Sequence, residues 1–202
     1  MTNRRQWLLG AMSGATLLAG CSLGTVRPAP TRLDLGTPTR AEPATLQFNA
    51  LALPPFNEAS LLGRDDVIWR LGPEGMPNRY ATYRWREPPS ALVRERLFER
   101  LSVHGPVLTE SISAEVPQLQ VTLMQFEQVF TLDGSSNQAV VTLQAVLVKN
   151  GEVAASFLGT ESEPGASNDA PGGAQALRVA TDRLIARLVQ WLLGTMNGSM
   201  TS

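Results

Sequence analysis

The sequence predicts an α+β fold: a largely antiparallel sheet with two helices packed on one face. Three observations predict it. Apolar residues alternate at period two in 117–130 and 138–150, as in strands with one wet and one buried face. Asn150-Gly151 separates the second run from 152–162, and a tight turn there makes three consecutive antiparallel strands. Two stretches, 88–105 and 174–193, carry apolar residues at helical spacing. Strands, helix, strand meander and helix in that order define the class.

The chain has 202 residues and is 43% hydrophobic, enough for one domain with a sizeable core. Its 17 basic and 18 acidic residues give a formal charge of −1, and Lys149 is the only lysine. Such a balance does not suit nucleic-acid binding, which needs a net basic surface to neutralise phosphates. The single cysteine cannot form an intramolecular disulfide, and one histidine cannot build a histidine metal site.

The N-terminus opens with Arg4 and Arg5, followed by an apolar or small run from Trp7 to Leu18. A spanning helix needs about 20 apolar residues. This run is shorter and has the length of a signal-peptide core. It ends in Leu18-Ala19-Gly20-Cys21, which resembles the bacterial lipobox. The resemblance implies cleavage before Cys21, acylation of its thiol and acylation of its new amine. Ser22 in the next position implies release to the outer membrane. "NRRQWLLG" also resembles a twin-arginine export signal. The general secretory route fits as well, and the route stays open.

Residues 1–20 are therefore expected to be a lipoprotein signal peptide and 21–43 a lipidated, proline-rich linker. Residues 44–198 are expected to form a single α+β domain. Without Arg4 and Arg5 the mature chain has 15 basic and 18 acidic residues, formally −3. In the linker, "TRLDLG" (31–36) alternates Leu33 and Leu35, too briefly to decide between strand and linker. "ATLQFNALALPPF" (44–56) reads as a strand ended by Pro54-Pro55. "DDVIWRL" (65–71) reads as a short strand, "GPEGMPN" (72–78) as a turn and "RYATYRW" (79–85) as a strand with Tyr83 and Trp85 on one side.

The first helix starts at the prolines of 88–89, where the missing amide does no harm. Val93, Leu97 and Leu101 form its stripe, and Gly105-Pro106 end it. In the strand 117–130, Leu119, Val121 and Leu123 share a face. Phe126 and Phe130 fall on the other parity, so a bulge is expected near Met124. "DGSSN" (133–137) reads as a hairpin loop and "EPGASNDAPGG" (163–173) as a flexible loop. The last helix is expected from Ala174 to Leu193, with Leu177, Leu184, Leu188 and Leu192 inward and Gly194 as its stop.

No catalytic pattern emerges. His104, at a helix end, is expected to cap carbonyls or face water. Walker and dinucleotide glycine motifs are absent from the sequence. Asp65 and Asp66 are neighbours, which point to opposite faces of a strand, and a solvated loop edge is expected. The chain is thus expected not to be an enzyme, with no cofactor, no metal and no catalytic residue.

The stretch "VIWRLGPEGMPNRYATYRWREPPSALVRERLFERL" (67–101) resembles the ABC-type transport auxiliary lipoproteins, the PqiC-like family. Trp69, Arg70, Tyr80, Tyr83, Arg84, Trp85, Pro88 and Pro89 carry the resemblance. The lipobox, "LDLG" (33–36) and "LQVTLMQFEQVF" fit the same pattern. Trp69 stands where the family usually has tyrosine. The resemblance implies an accessory component of an MCE-type ABC transporter, which moves phospholipids or other hydrophobic molecules between inner and outer membranes. Its implied partners are an MCE-domain protein and, through the lipid, the outer membrane, with a homo-oligomer also compatible. Its implied location is the periplasmic face of the outer membrane. The alternative is an envelope-assembly or peptidoglycan-synthase-regulating lipoprotein. Trp85 reads first as a core anchor. Arg84 and Arg86 read either as an interface or as a solvated face.

Overall fold

Strand β7 (Gln118–Phe130) is the axis of the fold. The computed structural model describes residues 28–37 and 47–198. Cys21, the export-like segment and residues 38–46 lie outside the described residues.

One edge of β7 pairs antiparallel with β8 (Asn137–Lys149), from Gln118↔Val148 to Phe130↔Asn137. The β8 strand pairs antiparallel with β9 (Glu152–Pro164). Asn150 and Gly151 between them have φ of 53° and 81°, the left-handed pair that a two-residue primed turn requires. The expected three-stranded meander is therefore present. So is the expected slip in β7: the register shifts between Leu123 and Gln125, which leaves Met124 exposed and returns Phe126 to the core.

The other edge of β7 takes short parallel strands. These are β2 (Leu51–Ala52), β3 (Asn57–Glu58) and β4 (Asp66–Leu71). Next to β4 lies β5 (Asn78–Trp85), antiparallel, and beyond it β1 (Thr31–Leu33), parallel to β5. Strand β6 (Val107–Leu108) runs parallel to β2. The long ladders are thus antiparallel and the short attachments mostly parallel. The chain between β4 and β7 passes through helix α1 (Pro89–Ser102), a connection long enough to bring the strand back in the same direction.

Both helices feed one core. Helix α2 (Ala170–Gly198) sets Leu177, Ala180, Leu184, Leu188 and Leu192 against Ala139, Val141, Leu143, Ala145 and Leu147 of β8. Helix α1 contributes Val93, Leu97 and Leu101 to the same cluster. Burial of each such leucine stabilises the fold by about 1.5–3 kcal/mol relative to exposure. Arg96 of α1 is buried among them. It donates to Gly36 O at 2.7 Å and also reaches Leu35 O and Asp182, so it ties the segment after β1 to both helices.

Three expected boundaries move. The strand expected over 44–56 reduces, in its described part, to Leu51–Ala52. Phe48 N–H instead donates to His104 O, and Leu53 N–H to Leu108 O. The loop expected over 163–173 shrinks to 165–169, because β9 continues to Pro164 and α2 begins at Ala170. Asp169 Oδ1 accepts from Gly172 N–H at 2.8 Å, which caps the helix before its two glycines. Gly194 does not stop α2, which runs on to Gly198; a helix-interior glycine costs only about 1 kcal/mol.

Strand β9 is one free edge of the sheet. Arg183 and Arg187 reach across from α2 and donate to Ser162 O at 2.7 Å and Thr160 O at 3.3 Å. They also pair with Glu163 and Glu161, so charged groups occupy main-chain acceptors of this edge.

Candidate functional site

The residues of the family pattern fall into two groups along β4 and β5. Trp69, Arg70 and Tyr80 lie at the end of the sheet where β4 turns into β5. Arg84, Trp85, Pro88 and Pro89 lie where β5 leads into α1.

At the first end Trp69 contacts Phe130 edge-on, with centroids 5.8 Å apart, and Tyr80 at 6.1 Å. Tyr80 in turn meets Tyr83 at 6.0 Å. These are ordinary aromatic pairing distances. Arg70 is spent inward: Nε lies 2.8 Å and Nη2 2.7 Å from Glu127 Oε2. Glu127 is 3% exposed, so its charge needs this partner. Arg70 Nη1 also donates to Pro73 O and Gly75 O, which fixes the loop between β4 and β5.

Tyr80 begins a buried polar relay. Its hydroxyl donates to Gln128 Oε1 at 2.7 Å. Gln128 Nε2 donates to Asn137 Oδ1 at 2.7 Å and to Asp169 O at 3.2 Å. Asn137 Nδ2 donates to Ser167 O and Asn168 Oδ1. Burial, with the Asp169 and Tyr83 charges opposing ionisation, pushes the Tyr80 phenol up to about 12. Gly173 lets Gln128 lie against the α2 backbone, since a Cβ there would sit 2.4 Å from Gln128 Oε1.

At the second end Trp85 is 1% exposed and packs on Phe126 at 5.4 Å. It is a core side chain. Pro88 caps α1 and Pro89 occupies its first turn, buried. Arg84 Nε lies 3.4 Å from Asp66 Oδ1, while its Nη1 donates to Tyr80 O and Tyr83 O. Arg86 pairs with Asp34 and Glu95. Both arginines left open by the sequence are therefore held within the chain.

Asp66 departs from the solvated edge expected of it. It is 4% exposed, with Arg79 Nε 3.2 Å and Arg64 Nε 3.6 Å from Oδ2. Asp65 pairs with Arg32 on β1. The two acids thus take different partners: β5 supplies Arg79 and Arg84 to Asp66, and Arg64 just before β4 adds a third cation. His104 follows α1, with its N–H on Leu101 O and its carbonyl accepting from Phe48 N–H.

Glu127, Gln128, Asn137 and Asp169 were not singled out from the sequence. Glu127 carried a signal: a carboxylate inside a strand of otherwise uncharged residues. Past the bulge, Phe126, Glu127, Gln128 and Val129 are all buried, so polar side chains on both faces of β7 need internal partners.

Two loops close this end of the sheet. The loop 131–136 is tightly built, with Asp133 Oδ1 accepting from Thr131 Oγ1, Ser135 N–H and Ser135 Oγ. Those bonds hold the Asp133 carboxyl down at about 2. The loop touches 72–75, where a Cβ on Gly72 would lie 2.8 Å from Leu132 Cδ2. Between them runs an open groove of about 670 Å³ lined by Pro73, Val129, Phe130, Leu132 and Pro164. Leu71, Met76 and Leu132 are exposed by 42%, 81% and 79%. Among the described residues, no group of three or more His, Cys, Asp or Glu could hold a metal ion. Among them, no helix is long and apolar enough to cross a membrane.

Fold and site define an α+β domain in which aromatic and arginine side chains of β4 and β5 brace the sheet from within. No family model matches the chain. The uncharacterized protein bll6063 of Bradyrhizobium diazoefficiens is 27% identical over 183 residues, 87% of this chain and 49% of that protein. The chain therefore spans about half the length of the curated relative it matches. Protein XCC0632 from Xanthomonas campestris, a crystal structure described under the family DUF330, matches with a TM-score of 0.70 at 21% identity. That match covers 86% of this chain and 98% of the other. A further crystal structure, of an uncharacterized protein, matches with a TM-score of 0.63 at 13% identity over 81% and 99% of the two chains. These likenesses show a shared fold.

Proposed function

We propose that the chain is a non-catalytic, lipid-anchored lipoprotein of the bacterial envelope. It serves as an accessory component of an MCE-type ABC transporter for phospholipids or other hydrophobic molecules, at the periplasmic face of the outer membrane. The observation that carries the reading is the Leu18-Ala19-Gly20-Cys21 stretch, which follows an apolar core too short to span and precedes the folded domain. The Trp69-to-Pro89 pattern supports the transporter assignment through its likeness to the PqiC-like family. The fold adds support of a different kind. Arg70, Tyr80, Arg84 and Trp85 are committed to internal contacts, which suits a rigid adaptor.

The reading is tested on the full chain. Cys21→Ala is expected to abolish acylation and release the protein from the membrane fraction with its fold intact. Purification of the wild-type protein from envelopes is expected to recover an MCE-domain protein. A Cys21→Ala variant that stays firmly with membranes overturns the anchor, and repeated absence of any MCE-domain protein overturns the transporter role.

A further inference from the structure

The direction in which the chain enters the fold assigns a role to the apolar loop end. Strand β1 runs parallel to β5, with Thr31 beside Tyr83 and Leu33 beside Trp85. Residues before Thr31 therefore lead back toward Asn78, the start of β5 and the end of the loop that carries Met76. Strands β4 and β7 finish at this same end, where Leu71 pairs with Phe130. The loop 131–136 caps it. The β8–β9 turn at Asn150-Gly151 lies at the far end of the sheet.

Cys21 precedes Pro28 by seven residues. Seven residues reach at most about 25 Å at about 3.6 Å each. A lipid on Cys21 would thus hold Pro28 within about 25 Å of the bilayer, and the chain enters β1 from the side that carries Leu71, Met76 and Leu132. Those three side chains are among the exposed large apolar ones. The loops that hold them are fixed in advance, by Arg70 on Pro73 O and Gly75 O and by Asp133 within 131–136. Little ordering is then needed for these side chains to meet a surface.

We propose that this end of the sheet docks on a zwitterionic lipid surface, with Met76, Leu132 and Leu71 entering the boundary between headgroups and acyl chains. The inference rests on the reading of Cys21 as the lipid anchor. The charges around the patch select the surface. Glu74 and Asp133 are exposed on the two loops, and Arg70 is turned inward to Glu127. No cationic side chain belongs to either loop, so a strongly anionic leaflet would repel this end. Three partly exposed side chains bind weakly on their own. Tethering makes the contact intramolecular, and a weak contact then suffices to orient the domain.

The test places one fluorophore on Met76→Cys, Leu132→Cys or, as the far-end control, Glu152→Cys. Phosphatidylcholine vesicles carry a nitroxide quencher on the acyl chain. One arm uses the mature chain acylated at Cys21. A second uses the same chain with Cys21→Ser and an N-terminal hexahistidine on nickel-chelating lipid, which needs no acylation. The expected result in both arms is several-fold stronger quenching at 76 and 132 than at 152, reduced when phosphatidylglycerol replaces much of the phosphatidylcholine. Equal quenching at the three positions in the nickel arm overturns the docking, including the case in which this end meets a protein instead. Quenching in the nickel arm together with no acylation and no flotation in the first arm overturns the anchor reading while the docking surface stands.

Discussion

The Tyr80 hydroxyl donates to Gln128 Oε1 at 2.7 Å, and through Gln128 and Asn137 it is keyed to the loop that starts α2. An aromatic strand at one side of the sheet is thereby registered against the last helix.

Tyr80→Phe removes the donor and leaves a buried amide oxygen unsatisfied. A loss of about 1–3 kcal/mol in stability is expected, measured by urea unfolding. The burial of the same phenol has a pH signature. The phenol goes from 10.0 to about 12 on folding, so the folded state holds this proton more tightly. The contribution is complete below the unfolded value and is lost as pH rises from 10 toward 12. The chain has only two tyrosines. Ultraviolet titration of the native protein should show one phenol ionising near 12, absent from Tyr80→Phe.

Arg70→Met strands the Glu127 carboxylate, which is 3% exposed. The expected cost is about 3–5 kcal/mol. Adding Glu127→Gln should recover much of it, because the unpaired charge is gone. A double-mutant cycle in denaturant measures this; equal additive losses would show that the pair is uncoupled.

The meander and helices were legible in the sequence because their patterns are local and long. Leu119 to Leu123 alternate, Asn150-Gly151 demands positive φ, and Val93, Leu97 and Leu101 repeat every four residues. The short strands were not legible in the same way. Leu51–Ala52 and Asn57–Glu58 span two residues each, too few for any periodicity, and their parallel pairing with β7 depends on distant chain. Asp66 was misread because two of its three counter-charges, Arg79 and Arg84, reach it only through the β4–β5 pairing. Of the site, the aromatic and arginine residues could be picked out, but Gln128 and Asn137 look like ordinary wet-face residues until β7 meets α2.

Asp169→Ala removes the cap on α2. A loss of about 1 kcal/mol is expected, read from thermal or urea unfolding, with Asp169→Asn losing less. Hydrogen bonds from Ser167 and Gly172 hold this carboxyl below its ordinary 3.8. Its contribution is present above that value and disappears as pH falls through the folded-state one. The wild-type advantage over Asp169→Ala should therefore shrink in acid.

Replacing Arg183 and Arg187 together by alanine uncovers the carbonyls of Ser162 and Thr160 on the free edge of β9. These exposed ion pairs add little stability, about 0–1 kcal/mol each. The expected change is in association instead. Light scattering should rise with concentration in the double variant and stay flat in the wild type.

The central position of β7 also sets the order in which the molecule can form. A chain synthesised N-terminus first delivers residues 28–108 before 118–130. Strands β2, β3 and β4 complete their pairing only on β7, and β7 is itself lined up by the hairpin that follows it. The early half must wait as an open β4–β5 hairpin with unpaired strands, at risk of sticking to other chains. The meander of residues 118–164, built from near neighbours, closes fast by comparison. The last half to emerge is thus the template on which the first half completes itself, and mutations that slow the β7–β8 pairing should lengthen the exposure of the leading half more than they weaken the finished protein.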